Sequence, residues 1–222
     1  LRNNTEKRVY PDIQQKKKKR EKELKHVNMK KSDIILAGVG GQGILSIAAI
    51  IGEAALAENL YIKQAEVHGM SQRGGDVQSN LRISDTPINS DLISLGGADY
   101  ILSLEPMEAL RYLPYLDREG WIITSSSPFV NIPNYPDADA LKGELHKMKN
   151  VISIDVEGLA KEHNLPKSAN VILLGAAAKV LDMVKYADLE KSVRRIFSAK
   201  GEEIVNMNLK ALSIGYNTAN QK

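Results

Sequence analysis

Residues 33–43, Asp-Ile-Ile-Leu-Ala-Gly-Val-Gly-Gly-Gln-Gly, constrain the fold of this chain more than any other stretch. An apolar run from Ile34 to Ala37 breaks into glycines, and a long apolar-periodic segment starts directly behind them. That order reads as strand, tight loop and helix N-terminus. Gly38-Val39-Gly40-Gly41-Gln42-Gly43 fits the G-x-G-x-x-G pattern. The first N–H groups of such a helix lack intrahelical partners and suit an anion. A bound dinucleotide is the first inference. The plainer alternative is that the glycines serve a tight turn and close helix–sheet packing.

A dinucleotide site also wants an acid near the end of the second strand, about 20 residues on. Glu66 fills that place, but it opens a second polar, glycine-rich stretch, Glu66-Val67-His68-Gly69-Met70-Ser71-Gln72-Arg73-Gly74-Gly75. A ribose contact does not explain His68, Gln72 and Arg73 beside it. Arg73 suits a phosphate or carboxylate held by its guanidinium fork, and His68 suits titration near neutrality. In an open parallel sheet the loops at strand C-termini converge on one crevice, so the two glycine loops are expected to be neighbours. The competing reading is an Arg73–Glu66 ion pair that only fixes the loop.

The rest of the chain continues the alternation. A helix is predicted over Gln42–Glu58, with Ile44, Leu45, Ala48, Ile51, Ala55 and Leu56 inward and Ala49 and Gly52 close to a sheet. Strands are predicted at Tyr61–Val67, Val77–Ile83, Ala98–Leu104, Trp121–Thr124 and Val151–Ile154. Between the later ones fall helices from Glu105-Pro106 to Tyr112, Ala138 to Met148 and Val156 to His163, with a proline-rich loop over Ser125–Pro136. After Pro166 the pattern is all-helical: Asn170–Met183, Leu189–Ser198 and Gly201–Asn217, the last with Ile204, Met207, Leu212 and Ile214 as its apolar positions. Gly175-Ala176-Ala177-Ala178 marks a close-packing site. The expected fold is α/β and Rossmann-like: a mostly parallel sheet, helices on both faces, and a helical C-terminal segment.

Composition narrows the chemistry. None of the 222 residues is cysteine, so disulfides, thiolate nucleophiles and thiolate-ligated iron–sulfur clusters are excluded for this chain. His26, His68, His146 and His163 are scattered without zinc-site spacing. No metal site is expected, and neither a Ser-His-Asp nor a paired-carboxylate constellation stands out. Residues 1–28 hold ten Lys and Arg against four Asp and Glu, a net +6, so residues 29–222 carry −3 of the chain's +3. Nucleic-acid binding by the globular part is therefore not expected. Residues 1–28 read as a disordered basic tail, or an extension from an upstream start or from cloning. Residues 29–222 read as a single domain. With no run of about 20 apolar residues and no secretory signal, a cytoplasmic protein away from membranes is expected.

The two glycine loops together resemble those of the gamma-type subunits of the 2-oxoacid:ferredoxin oxidoreductases. The Glu66–Gly75 run is similar to the indolepyruvate branch, where the corresponding chain is the beta subunit. The ending Gly201-Glu202-Glu203-Ile204-Val205-Asn206-Met207-Asn208-Leu209-Lys210-Ala211 is also typical of the family. The likeness covers Met29 to the C-terminus. It departs at the N-terminal extension and at Ser125-Ser126-Ser127-Pro128-Phe129. The resemblance implies oxidative decarboxylation of a 2-oxoacid to acyl-CoA, with CoA as co-substrate and electrons passed to ferredoxin. It implies that thiamine diphosphate, Mg and iron–sulfur clusters sit in a cysteine-rich alpha subunit, and that this chain, inactive alone, joins it in a hetero-oligomer. His68 and Arg73 are then candidates for a part in the chemistry. Gly38, Gly40, Gly41, Gln42, Gly43, Glu66, Gln72, Gly74 and Gly75 are candidates for binding substrate or cofactor. A free-standing NAD(P)-binding oxidoreductase and a non-catalytic assembly subunit are the alternatives.

Overall fold

The computed structural model describes residues 29–68 (for His68 the backbone alone), 74–130 and 132–219. The basic segment 1–28, together with Gln72 and Arg73, lies outside them. From Lys31 onward the chain forms one compact unit.

Its pivot is β1 (Lys31–Val39), buried along almost its whole length. An apolar run without alternation buries both faces, which suits a central strand. β1 pairs in parallel with β4 (Ala98–Ser103) on one side and antiparallel with β3 (Asp76–Ser84) on the other. The sheet order is β2-β3-β1-β4-β5-β6, with β2 (Tyr61–His68), β5 (Leu116–Ser125) and β6 (Val151–Ile154). β2 pairs antiparallel with β3, and β4, β5 and β6 run parallel. Only β3 is reversed, so the sheet is mostly parallel as expected.

Among the described residues, seven α-helices, α1 (Ile44–Ala57), α2 (Pro106–Arg111), α3 (Ala138–His146), α4 (Val156–Glu162), α5 (Ala169–Ala177), α6 (Tyr186–Phe197) and α7 (Glu202–Ala219), complete the unit. Alternate residues of β1 feed two cores. Ile34 and Leu36 pack under α1 and α4–α7, whereas Ile35 and Ala37 join Ala109, Tyr112 and Leu145 from the α2–α3 side. Helices therefore cover both faces.

Two stripes are phased differently from the expectation. In α1 the inward residues are Ile44, Ile47, Ala48, Ile50, Ile51, Ala54 and Ala55. Leu45 and Leu56 point outward, 45% and 60% exposed, and Ala49 is exposed too. Several apolar residues compete for each turn there, and packing against the sheet sets the phase. In α7 the buried line is Val205, Asn208, Ala211, Leu212 and Gly215, with Ile204, Met207 and Ile214 half-buried beside it. α5 stops at Ala177 rather than Met183. Beyond it the Tyr100 hydroxyl donates to the Val180 carbonyl (2.8 Å) and the Ser32 hydroxyl to Asp182 (2.6 Å), which draws the chain off the helix axis.

The C-terminal helices cross at glycine. A Cβ on Gly175 would lie 2.1 Å from the Leu212 carbonyl oxygen, and one on Gly215 would lie 1.8 Å from that of Ile172. The backbones of α5 and α7 thus touch directly. At the far end of the sheet, Asp33, 3% exposed, receives Arg82 through Nε (2.6 Å) and Nη2 (3.1 Å) and Lys31 through Nζ (2.7 Å). Arg82 also donates to the carbonyls of Ser90 and Leu92, so one clip closes that end.

Candidate functional site

The chain leaves β1 towards α1 on one face and leaves β4 towards α2 on the other. Strand order reverses between these two strands, which is where open α/β sheets place their ligands. The glycine loop occupies that position. Its turn is closed by a bond from the Gln42 N–H to the Val39 carbonyl (3.1 Å). The Gln42 side chain folds back across the crevice. Its Oε1 accepts from the Val39 N–H (2.7 Å) and its Nε2 donates to the Leu104 carbonyl (3.2 Å). Gln42, a candidate binding residue, thereby staples the ends of β1 and β4 together. That also accounts for a large amide in a loop of glycines.

Gly43 caps α1 at φ 86° without any side-chain cap, and its carbonyl accepts from Asn170 Nδ2 (3.1 Å). A Cβ there would lie 2.6 Å from the same Nδ2. Gly43 is therefore required by conformation and by the approach of α5. Gly38 is enclosed by the Gln42 and Ile44 side chains, whereas space is open around the Gly41 Cα.

The second glycine stretch is the hairpin connecting β2 and β3. The Gly40 N–H donates to the Gly75 carbonyl (2.9 Å), so the two glycine loops are neighbours as expected. Strand β3 returns antiparallel between β2 and β1, which seats this connection beside the glycine loop. Gly74 lies in the same turn. Glu66 and His68 belong to β2 itself, opposite Ser79 and Val77. Glu66 accepts from Gln64 Nε2 (2.7 Å).

This topology tells against the dinucleotide alternative. In a mononucleotide-binding half the second strand lies directly beside the first. Here β3 stands between them, so Glu66 is two strand spacings from β1, about 10 Å. An acid there is displaced from the ribose of a cofactor seated on the glycine loop.

Glu105 completes this end of the sheet, and sequence reasoning took it only as a helix opener. It is fully buried. Its Oε2 caps α2 by accepting from the Glu108 N–H (2.9 Å). Its Oε1 accepts from the Phe129 N–H (3.4 Å) and from the Tyr135 hydroxyl. The signal was present in Glu105-Pro106-Met107-Glu108, an acid at the cap, proline at the first helical position and glutamate at the third. What it could not show was the reach to a loop more than twenty residues further on. Burial raises the Glu108 carboxyl above its ordinary range, opposed by its Arg111 partner and aided by Glu105 and Asp76. Burial, then Asp76 and Glu108, push the Tyr112 phenol up to about 12. Tyr135 is raised by burial and by its bond to Glu105.

A cavity of about 830 Å³ opens on the β5–β6 side, lined by Ser126, Pro128, Leu141, Leu145 and Asp155 among others. Among the described residues, none of the candidate catalytic or binding residues lines it, whereas Ser126 and Pro128 of the Ser125–Phe129 stretch do. Among the described residues no group of three His, Asp or Glu could hold a metal ion. With no cysteine in the chain, its residues do not fit an iron–sulfur cluster.

Fold and site define a doubly wound α/β protein with two glycine loops joined at its switch point. Residues 33–218 match the family model of the pyruvate ferredoxin/flavodoxin oxidoreductases, and the chain belongs to that family. It is 36% identical over 195 residues to "Indolepyruvate oxidoreductase subunit IorB" of Archaeoglobus fulgidus, covering 84% of this chain and 94% of that protein. Among solved structures it superposes on the gamma subunit of a keto/oxoacid ferredoxin oxidoreductase from Geobacter sulfurreducens with a TM-score of 0.66 at 24% identity, over 86% of this chain and 98% of that one. It superposes on 2-oxoglutarate:ferredoxin oxidoreductase of Magnetococcus marinus, bound to 2-oxoglutarate, coenzyme A and succinyl-CoA, with a TM-score of 0.68 at 20% identity, over 87% of this chain and 32% of that one. At these identities the superpositions speak for the fold alone.

Proposed function

We propose that this chain is the non-cluster, gamma-type subunit of an indolepyruvate (arylpyruvate):ferredoxin oxidoreductase. The observation that carries the reading is the match to an indolepyruvate oxidoreductase subunit over 84% of this chain and 94% of that one. Its partner is a cysteine-rich alpha subunit holding thiamine diphosphate, Mg and iron–sulfur clusters, and the complex delivers electrons to ferredoxin in the cytoplasm. Thiamine diphosphate, when bound in that partner, supplies the carbanion chemistry of decarboxylation.

This chain's residues bind and orient. The start of α1, beside the open space at Gly41, presents backbone N–H groups to an anionic part of substrate or CoA. Gln42 keeps that loop in place by its bonds to Val39 and Leu104. Arg73 pairs a carboxylate or phosphate. His68 takes part in the chemistry as a proton carrier. Glu66, Gln72, Gly74 and Gly75 shape the same wall. The domain performing this role is residues 29–222, with residues 1–28 dispensable.

The test is co-expression with the cysteine-rich subunit, followed by assay of dye reduction with CoA present. The isolated chain is expected to be inert and the complex to reduce the dye with indolepyruvate. Reduction with pyruvate and not with arylpyruvates would overturn the substrate. NAD(P)-dependent turnover by the isolated chain would overturn the subunit reading.

A further inference from the structure

The loop from Ser126 to Asp137 presents Phe129, Val130 and Ile132 at 46%, 68% and 38% exposure. Single exposed apolar side chains are ordinary, but three within four residues form a patch. No charged residue occurs between Glu119 and Asp137, in a chain that is 26% charged. The loop's own side chains carry no charge, so a partner surface resting on them meets an uncharged patch bordered by Asp155.

The loop is also held in advance. The Phe129 N–H and the Tyr135 hydroxyl both donate to the buried Glu105 carboxylate. The Ser127 hydroxyl donates to Asp155 (2.6 Å), and the Tyr135 N–H to the Ile132 carbonyl (3.3 Å). Pro128, Pro133 and Pro136 stiffen it further. Ordering cost on binding is correspondingly small.

We infer that this anchored loop is the surface through which the chain docks onto the larger, thiamine-diphosphate-binding subunit. The inference rests on the subunit role proposed above. Position selects that occupant. Glu105 directly follows Leu104, whose carbonyl holds Gln42 of the glycine loop, so the patch and the glycine loops share one end of the sheet. If the glycine loops wall an active site shared with the larger subunit, that subunit must cover this end. Another exposed apolar pair, Leu92 and Leu95, lies at the opposite end, in a loop that carries Asp85 and Asp91.

Because the chain has no cysteine, a single introduced thiol reports its own surroundings. Val130→Cys and Leu95→Cys replace exposed side chains, and their maleimide labelling can be followed by the mass of this chain, alone and in the co-expressed complex. The expected result is at least a tenfold slower labelling at position 130 on assembly and an unchanged rate at position 95. Equal labelling at position 130 in both states would overturn the inference while leaving the subunit role intact. Slow labelling at position 130 in the isolated chain, with a dimer in sedimentation, would overturn it in favour of a second copy. Failure of the unsubstituted chain to form any complex would overturn the subunit role and this surface with it. As a second variant, Phe129→Ser with Ile132→Ser is expected to weaken co-purification at least tenfold without lowering the thermal midpoint, whereas Leu92→Ser with Leu95→Ser leaves co-purification unchanged.

Discussion

Gly43 shows how one residue joins conformation to packing. Its φ of 86° and the 2.6 Å approach of Asn170 to its missing Cβ act together. Gly43→Ala is expected to destabilise the chain by about 2 kcal/mol or more, since left-handed strain alone costs roughly 1–2 kcal/mol. Gly41→Ala, with open space around it, should cost less; urea unfolding of the two variants gives the comparison. Tyr112 supplies a pH signature. Its folded phenol holds the proton up to about 12, whereas an unfolded tyrosine releases it near 10.0. The unfolded chain therefore binds fewer protons across that interval, and stability falls as pH rises from about 10 to about 12. Tyr112→Phe should flatten that part of a stability–pH curve. At this scale the sequence was legible where backbone demands glycine. It was not legible for Gln42, whose amide turned out to bridge two strands, because a residue type does not disclose which carbonyl it will reach.

Among the elements, local pattern located most strands and helices, and long-range pairing decided the rest. β1 was plain because an unbroken apolar run has few other homes. The β2–β3 hairpin was not, since a glycine-rich connection suits both a hairpin and the start of a crossover. The G-x-G-x-x-G pattern and the place of Glu66 kept a dinucleotide site in view, and the interposed β3 weakens it. The α5–α7 crossing was half legible. Gly175-Ala176-Ala177-Ala178 advertises close packing, but Gly215 is a lone small residue in an ordinary amphipathic helix. Gly215→Ala and Gly175→Ala each force two backbones apart. Each is expected to cost about 3 kcal/mol, at the upper end for overpacking, despite the better helix propensity of alanine. Thermal unfolding should show this as a clear drop in midpoint for either variant.

The whole molecule, on the function proposed above, is a wall of a shared site rather than a self-sufficient enzyme. The chain has no thiol, and its own glycine loops meet at a switch point whose strand order does not suit a dinucleotide. Its family membership was legible from the Glu66–Gly75 run. How that run is joined to Gly38–Gly43 by the Gly40–Gly75 bond required the sheet. The central claim is that these loops contribute to the shared active site and do not merely support assembly. It is tested most directly by steady-state kinetics of the assembled complex carrying Arg73→Ala, with assembly checked by gel filtration. The expected result is an intact complex whose kcat/KM for indolepyruvate falls by about thirtyfold or more, the loss that follows when the cation facing an anionic substrate group is removed. An intact complex with full activity would contradict it and leave this chain an assembly subunit.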